Sequence, residues 1–405
     1  MYRAESKPKV LWVTNLMPPY RISLWEAVGK MTRLRVALLE GDDQEVLSSD
    51  RSSEWATRSG SNFSAVDLRV KTWHRYAGNM HLGLDVRHMV ELVRQADVML
   101  LGGWESPVYV QMLVLSKMLG KPVVLFHEST EKSARHKHGP VVWLKRMLFR
   151  RMDAVVVPGV ASHELVSNLG VSEEKIFEGF NAVDMEFFRR NPDVGGDRGS
   201  EICAGGHRFL FLGRLRKDKR IDSIITAFSC MRGDGDRLSI VGSGSEYEDL
   251  RDLVNVLDLG DAVEFLGLAS YEELPAVLQA HDTLVLASGH DVWGLVVNEA
   301  LASGLHVVVS DHCGVWQSVR EMRGVYVWHE EMGTRLEDLM QRSSDDWSGF
   351  IAEPEILEMT NERFAGVFVE GFYAALGYGS GDHGEDRNEG HPFRLSDMRS
   401  NADEG

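Results

Sequence analysis

T-L-V-L-A-S-G-H-D-V-W-G-L-V-V-N-E-A-L-A-S-G-L-H-V-V-V-S, residues 283–310, is the stretch whose reading decides the fold. An apolar run from Thr283 to Ala287 breaks at Ser288 and Gly289, helical spacing begins at Leu295 and stops at Gly304, and a β-branched run occupies residues 306–309. The pattern predicts strand, loop, helix and strand. The loop between Gly289 and Gly294 is then at the carboxyl end of a parallel strand, where open α/β sheets bind ligands. A helix that starts near Gly294 turns its free N–H groups and positive dipole end toward that crevice, which suits a phosphate. Asp291 and Glu299, with seven residues between them, put two carboxylates beside this anion site, and hydroxyls of a sugar or ribose would give both a partner. The same letters also fit an ordinary amphipathic helix of a Rossmann-like domain with an acidic loop.

The stretch resembles the signature of the retaining glycosyltransferases of family 4 (glycosyl transferases group 1): an acidic residue, seven others that include Gly-Leu-Val, then Glu and a helix end of small residues. Asp291 stands where that family usually has Glu, and Glu299 matches. The resemblance implies the α/β fold called GT-B, two Rossmann-like domains facing each other across a cleft, with a C-terminal helix returning to the N-terminal domain. It implies further that Asp291 meets the transferred sugar. Gly294 and Leu295 would present amides to that sugar and to the diphosphate, and Glu299 would hold the nucleotide ribose.

A chain of 405 residues has the length of two domains, each able to bury a core. Hydrophobic residues at 43% and charged residues at 26% are ordinary for a globular protein. A net charge of -17 argues against nucleic acid as a partner and against general affinity for anionic membrane, although a local basic patch would override it. Cys203, Cys230 and Cys313 are odd in number and lack CxxC spacing, as expected in a reducing compartment. The N-terminal residues lack a signal peptide's apolar core, and no run approaches the roughly 18 apolar residues of a membrane span, so a cytoplasmic location is expected.

In the first half, residues 9–14 read as a buried strand, and Pro18 and Pro19 fix the loop N-L-M-P-P-Y-R before a helix over residues 22–31. A subgroup of the family has a similar loop, which implies acceptor contacts for Asn15, Tyr20 and Arg21; a capping Asn and a surface Arg are the plain alternative. Residues 34–39 form a strand, and the aperiodic polar stretch 41–62 reads as a mobile loop. A helix over 86–95 and a strand over 98–101 lead to G-G-W-E-S-P, which places Trp104 and Glu105 on a loop after the strand. A Trp there stacks on a sugar face and a carboxylate binds its hydroxyls, or the Trp simply packs. After a helix over 108–119, the strand 122–126 ends in His127. The family's strand commonly ends in His, implied to touch the transferred sugar near the reacting carbon, and His titrates most readily near neutral pH. Residues 132–152 are the most basic stretch: Lys132, Arg135, Lys137, Lys145, Arg146, Arg150 and Arg151, interleaved over 141–152 with Trp, Leu, Phe and Met. Lys145 interrupts the apolar face. The segment reads either as a peripheral contact with anionic membrane at its inner face or as a core helix with snorkelling cations. A strand over 153–158 and a helix over 162–169 precede a closing strand and an Asn-Ala-Val-Asp turn that resemble the family's.

In the second half, G-R-L-R-K-D-K-R follows the strand 209–212 and puts Arg214 and Lys219 at the mouth of the sheet. This resembles the family's Gly-Arg-Leu loop and its downstream Lys, which implies a clamp on the donor diphosphate; Arg220 stands where relatives usually have Gly. Positive charge there stabilises a departing pyrophosphate. The Gly-Ser-Gly of residues 242–244 lacks the third glycine of a dinucleotide fingerprint and is weak support for NAD. Asp234-Gly235-Asp236 imitates a metal-binding D-x-D, but its place before a strand favours turn chemistry, and the resemblance implies no required metal and no other cofactor. A strand over 263–267, a helix over 271–280 and a strand over 325–328 follow the pattern, with Gln317 where relatives often have Glu.

The expected organisation is an acceptor-binding domain over 1–190, a Gly- and Asp-rich linker over 191–206, a nucleotide-sugar-binding domain over 207–352, a returning helix over 353–376, and a disordered tail over 377–405. The expected function is transfer of a sugar, with its anomeric configuration retained, from a nucleoside-diphosphate sugar to a saccharide, lipid-linked or small-molecule acceptor in polysaccharide or glycoconjugate biosynthesis. In that reading His127, Arg214, Lys219 and Asp291 are catalytic, Arg214, Lys219, Gly294, Leu295 and Glu299 hold the donor, and Asn15, Tyr20, Arg21, Trp104 and Glu105 meet the acceptor. No carboxylate pair is arranged to flank an anomeric centre as in hydrolases, and the resemblance implies a front-face reaction in which the leaving phosphate helps deprotonate the acceptor. Two alternatives stay open: a GT-B epimerase or hydrolase acting on the sugar nucleotide itself, and a noncatalytic nucleotide-sugar-binding partner of another transferase, given the departures at Asp291, Arg220 and Gln317.

Overall fold

The structure is a computed structural model and describes residues 7–40, 60–73, 79–134, 136–190 and 206–378. Most of the polar stretch 41–62, Arg135, Cys203, nearly all of the linker 191–206 and the tail from residue 379 lie outside the described residues.

The strands are β1 (Lys9–Thr14), β2 (Arg33–Leu38), β3 (Phe63–Asp67), β4 (Val70–Trp73), β5 (Met80–Gly83), β6 (Val98–Leu101), β7 (Val123–Phe126), β8 (Ala154–Pro158), β9 (Ile176–Gly179), β10 (Arg208–Leu212), β11 (Arg237–Val241), β12 (Val263–Gly267), β13 (Thr283–Leu286), β14 (His306–Ser310) and β15 (Val325–Trp328). The central ones carry unbroken apolar runs, V-V-L-F in β7 and the V-V-V of β14, and are buried along their whole length. Such runs mark strands covered on both faces, the environment of a parallel sheet.

Two parallel sheets result. The first runs β3-β2-β1-β6-β7-β8-β9, the second β12-β11-β10-β13-β14-β15, and an antiparallel pair, β4-β5, stands apart. In each large sheet the strand order reverses once, between β1 and β6 and between β10 and β13, and such reversals open a crevice at the strands' carboxyl ends. Registers such as Thr283↔His306 and Leu286↔Val309 keep those ends level across neighbouring strands.

Strands β3, β4 and β5 are additions to the sequence reading. F-S-A-V-D and V-K-T-W carry too few consecutive apolar residues to announce themselves, and β3 forms because the edge of β2 is open to it, with Leu34↔Phe63 as first partners. The first helix starts at Pro19 rather than residue 22, because proline costs nothing in a first turn whose N–H groups have no helical partner. The last helix is shorter than expected, Asn361–Ala375 after a 3-10 turn at Glu355–Glu358, with Thr360 capping it by accepting from the Arg363 N–H.

That last helix packs into the first domain. Phe364, Phe368 and Phe372 are fully buried with Trp12, Trp25 and Phe126, and Phe368 lies 4.8 Å from Trp12 and 5.1 Å from Phe126. Residues 180–188, in turn, contribute Phe180, Met185 and Phe188 to the core of the second domain. The chain therefore crosses between the domains in both directions.

The carboxyl edges of the two sheets face each other. Lys132, beyond β7, holds Asp311, beyond β14, at 2.8 Å. The Asn298 amide donates to the Asn181 carbonyl at 2.8 Å, and Ser303 donates to the Phe188 carbonyl at 2.9 Å. At Gly159 an added Cβ would sit 3.1 Å from the Trp293 ring, so glycine is what lets these loops approach.

A cleft between two Rossmann-like sheets

The second sheet's crevice opens between β10 and β13. Arg214 is exposed there, and no ion pair holds it among the described residues. Lys219 ends a 3-10 turn, Lys217–Lys219, and its ammonium lies 2.5 Å from the Asp291 carboxylate, so the two are one ion pair at the crevice wall. The Gly289 N–H donates to the Asp218 carbonyl at 2.8 Å, which ties the β13 loop to the β10 loop. Arg220 adopts the left-handed conformation (φ 50°) as N-cap of the helix Ile221–Met231, lies over the Trp328 ring at 5.7 Å and pairs with Glu330. A Cβ at Gly289 would meet the Arg220 guanidinium at 2.8 Å, so Arg220 occupies room that Gly289 leaves open.

Asp291 is pinned by a single bridge to Cys313 on the loop after β14. Gly294 (φ 94°) turns the chain into the helix Leu295–Ala302, leaving the first amides, Leu295 among them, at the crevice. Glu299 is one turn further in and 8% exposed. Its carboxyl makes no hydrogen bond or ion pair among the described residues, and burial pushes its pKa up to about 7. An acid kept near neutrality without a partner is poised to accept from hydroxyl groups.

The Gly-Ser-Gly of residues 242–244 has a packing cause. A Cβ on Gly242 would meet the Gly213 carbonyl oxygen at 1.8 Å, and one on Gly244 the Leu215 carbonyl oxygen at 2.2 Å. Two loop backbones in contact exclude side chains there. Asp236, from the D-G-D turn, accepts from the N–H groups of His207 (2.7 Å) and Gly233 (2.8 Å), which is turn chemistry.

Across the cleft, the first sheet reverses order between β1 and β6, and the loops after these strands carry Asn15, Trp104 and Glu105. Asn15 is exposed and accepts from the Tyr109 hydroxyl at 2.7 Å. Trp104 is half-buried, edge-on to Phe149 at 6.2 Å, and Glu105 turns back to the Trp104 N–H at 3.0 Å. Tyr20 is half-buried beside Arg21, whose guanidinium lies 5.5 Å from its ring. Arg21 itself is buried, donating to Glu128 at 2.9 Å and Asn181 at 3.2 Å. Burial would lower its pKa, but Glu128 overrides this and holds the guanidinium charged. Arg21 is thus spent on an internal network rather than presented to the cleft, whereas Asn15, Trp104 and Glu105 share one edge.

His127 directly follows β7 and is buried. Its Nε2 is 3.1 Å from the ammonium of Lys145, which points inward from the helix Pro140–Phe149. The outward side of that helix exposes Val141, Leu144 and Trp143, the last 66% exposed. The residue that breaks the helix's apolar face is therefore inside the protein, a placement for which the interrupted pattern was the signal. Asp311 and Lys132 carry no such signal. Burial would raise the Asp311 carboxyl, but hydrogen bonds from Lys132 and His329 outweigh it and hold its pKa below the ordinary 3.8. Among the described residues Cys230 and Cys313 are free thiols, no helix is long and apolar enough to cross a membrane, and no group of His, Cys, Asp or Glu is arranged to hold a metal.

Residues 200–340 match the family described as glycosyl transferases group 1. The chain is 26% identical over 244 residues to the alpha-monoglucosyldiacylglycerol synthase of Streptococcus pneumoniae, covering 58% of this chain and 54% of that one. It is 33% identical over 124 residues to the mannosylfructose-phosphate synthase of Agrobacterium fabrum, covering 28% and 27%. The chain thus spans about half or less of the length of these curated relatives. Among solved structures it resembles Anabaena Alr3699/HepE in complex with UDP, with a TM-score of 0.63, 16% identity, and coverage of 91% of this chain and 97% of that one. The sucrose-phosphate synthase of Thermosynechococcus elongatus gives 0.61, 15%, 91% and 95%. The chain has the GT-B fold, and within it residues 200–340, most of the second domain, match the glycosyl transferases group 1 model.

Proposed function

We propose, from a GT-B chain whose residues 200–340 match the glycosyl transferases group 1 model, that this protein is a retaining glycosyltransferase of family 4 that uses a nucleoside-diphosphate sugar. One observation carries the reading: Arg214, the Lys219–Asp291 pair, the amino end of the helix Leu295–Ala302 and the unpartnered Glu299 converge at the crevice between β10 and β13. Two cations and a helix amino terminus suit a diphosphate, and a buried carboxyl without a donor suits a ribose. Arg214 and Lys219 supply the positive charge that a leaving diphosphate needs, so the reaction requires no metal or other cofactor. Asp291, oriented by Lys219, meets the transferred sugar, and His127 approaches it from the opposite sheet. A phosphate oxygen of the departing diphosphate takes the acceptor's proton on the same face, which retains the anomeric configuration.

The acceptor is placed at Asn15, Tyr20, Trp104 and Glu105, and it is a saccharide or a lipid-linked saccharide of a polysaccharide or glycoconjugate pathway. Val141, Trp143 and Leu144, exposed beside Arg146, Arg150 and Arg151, support peripheral contact with an anionic membrane at its cytoplasmic face. The pneumococcal relative is named for a glycosylated diacylglycerol, which favours the lipid-linked acceptor.

The test is thermal denaturation with UDP, GDP and ADP sugars, since a ligand of the folded state raises apparent stability by mass action. One nucleotide is expected to raise the Tm, Arg214→Ala and Glu299→Ala to remove that rise, and the anomeric product to keep the donor's configuration by NMR. Donors that leave the Tm unmoved would overturn the reading, and sugar release or isomerisation without an acceptor would redirect it to a hydrolase or epimerase.

A further inference from the structure

The helix Pro140–Phe149 lies among exposed cations, yet Lys145 is turned into the protein and is 8% exposed. Its ammonium sits over the rings of Trp104 at 5.4 Å and Phe149 at 5.2 Å, and its only hydrogen-bond partner among the described residues is Nε2 of His127 at 3.1 Å. The His127 ring makes no other hydrogen bond among those residues and is fixed edge-on to Phe149 at 4.9 Å. Lysine could have extended its stem to water, as its neighbours Arg146 and Arg150 do.

An ammonium has three N–H groups and no lone pair, so toward a single partner it can only donate. Nε2 must then be the nitrogen with the lone pair, and the one proton of a neutral ring is on Nδ1. The assignment of the proton follows from the partner. Electrostatics agree with this state. Burial first, and the neighbouring Lys145 second, push the His127 pKa well below its ordinary value, so the ring is neutral. Burial lowers Lys145 to about 8, with Glu105 opposing the shift, so the amine is still charged at neutral pH.

We infer that Lys145 is a positioning residue for His127: its N–H···Nε2 hydrogen bond holds the imidazole as the Nδ1–H tautomer, and Nδ1–H is the donor offered to a hydroxyl oxygen of the transferred sugar. The tautomer follows from the contact with a charged Lys145, whereas the role of the donor rests on the proposed glycosyl transfer.

The experiment is a two-bond 1H–15N correlation spectrum of the full chain labelled with 15N-histidine, with His127→Gln identifying the His127 signals. The wild type is expected to show a pyrrole-type Nδ1 and a pyridine-type Nε2 at neutral pH. Lys145→Met, which keeps the stem's bulk between Trp104 and Phe149, is expected to release the ring to the Nε2–H form. It should also lower kcat by about tenfold, the lower end of what orienting partners of a histidine contribute, with little change in the donor KM. Lys145→Arg, which restores a donor, should recover the tautomer and most of the rate. An Nε2–H or imidazolium signature in the wild type overturns the inference without any variant having to fold, and so does a Lys145→Met protein that keeps the Nδ1–H form. A wild type with the stated tautomer that turns over no nucleotide sugar leaves the Lys145–His127 pairing standing and removes the transferase reading.

Discussion

Glu299 illustrates what a single residue costs and contributes. Its folded pKa, about 7, lies above the ordinary 4.5 because burial disfavours the carboxylate, so the folded state binds the proton more tightly than the unfolded chain. Stability from this group is full below 4.5, falls as pH rises toward about 7, and is level above that. Glu299→Gln has no charge to bury. It is expected to denature like the wild type near pH 4.5 and to be more stable above pH 7, by up to roughly 3 kcal/mol if the whole shift is expressed. Denaturant titrations at both pH values check this; equal midpoints above pH 7 would refute the burial argument. The same variant should bind the nucleotide more weakly, because an amide accepts hydroxyl hydrogen bonds less strongly than a carboxylate. The position of Glu299 was legible in its spacing from Asp291 and Gly294. Its isolation was not, because that depends on what every neighbouring element fails to offer it.

At the scale of elements, the helix Asn361–Ala375 shows how a sequence-distant segment becomes part of a core. Its phenylalanines recur at helical spacing, which is readable, but their partners Trp12 and Phe126 are hundreds of positions away. Phe368→Ala removes a fully buried ring and is expected to cost about 3 to 5 kcal/mol, measured as a lower urea midpoint. Gly179→Ala should be costly for the opposite reason, since its Cβ would lie 2.5 Å from the Phe364 ring. Overpacking of that kind costs about 1 to 3 kcal/mol, and an unchanged midpoint would show that the ring has room to move. The interrupted apolar face of the helix Pro140–Phe149 told a similar story: the pattern marked Lys145 as odd, but only packing put it against His127. Strands β3 to β5 escaped the sequence because edge strands with mixed polarity look like loops until a neighbour offers them hydrogen bonds.

The whole molecule is two sheets whose functional edges meet, held by the packing of Phe180 on Trp293 and by a set of polar contacts. Lys132–Asp311 spans the cleft, and Asp311 is kept ionised by Lys132 and His329 against the effect of burial. Lys132→Met removes that tie and leaves both folds intact. Small-angle scattering is expected to give a larger radius of gyration for this variant at low ionic strength, and screening by about 1 M salt should move the wild type in the same direction. Identical scattering in variant and wild type would mean that Asn298–Asn181 and Ser303–Phe188 set the orientation without it.

The sequence by itself determined the alternation of strands and helices, most strand positions, the loops that carry Arg214, Lys219 and Asp291, and the helix that carries Glu299, because apolar periodicity, glycine and proline act over a few neighbouring residues. Two Rossmann-like domains facing across a cleft were what the family resemblance implied. Only the tertiary structure decided that Arg21 serves an internal network, that Lys219 is paired with Asp291, and that Lys145 belongs to His127. Such pairings join residues 18 to 160 positions apart. They arise when sheets and helices pack, and leave no pattern along the chain.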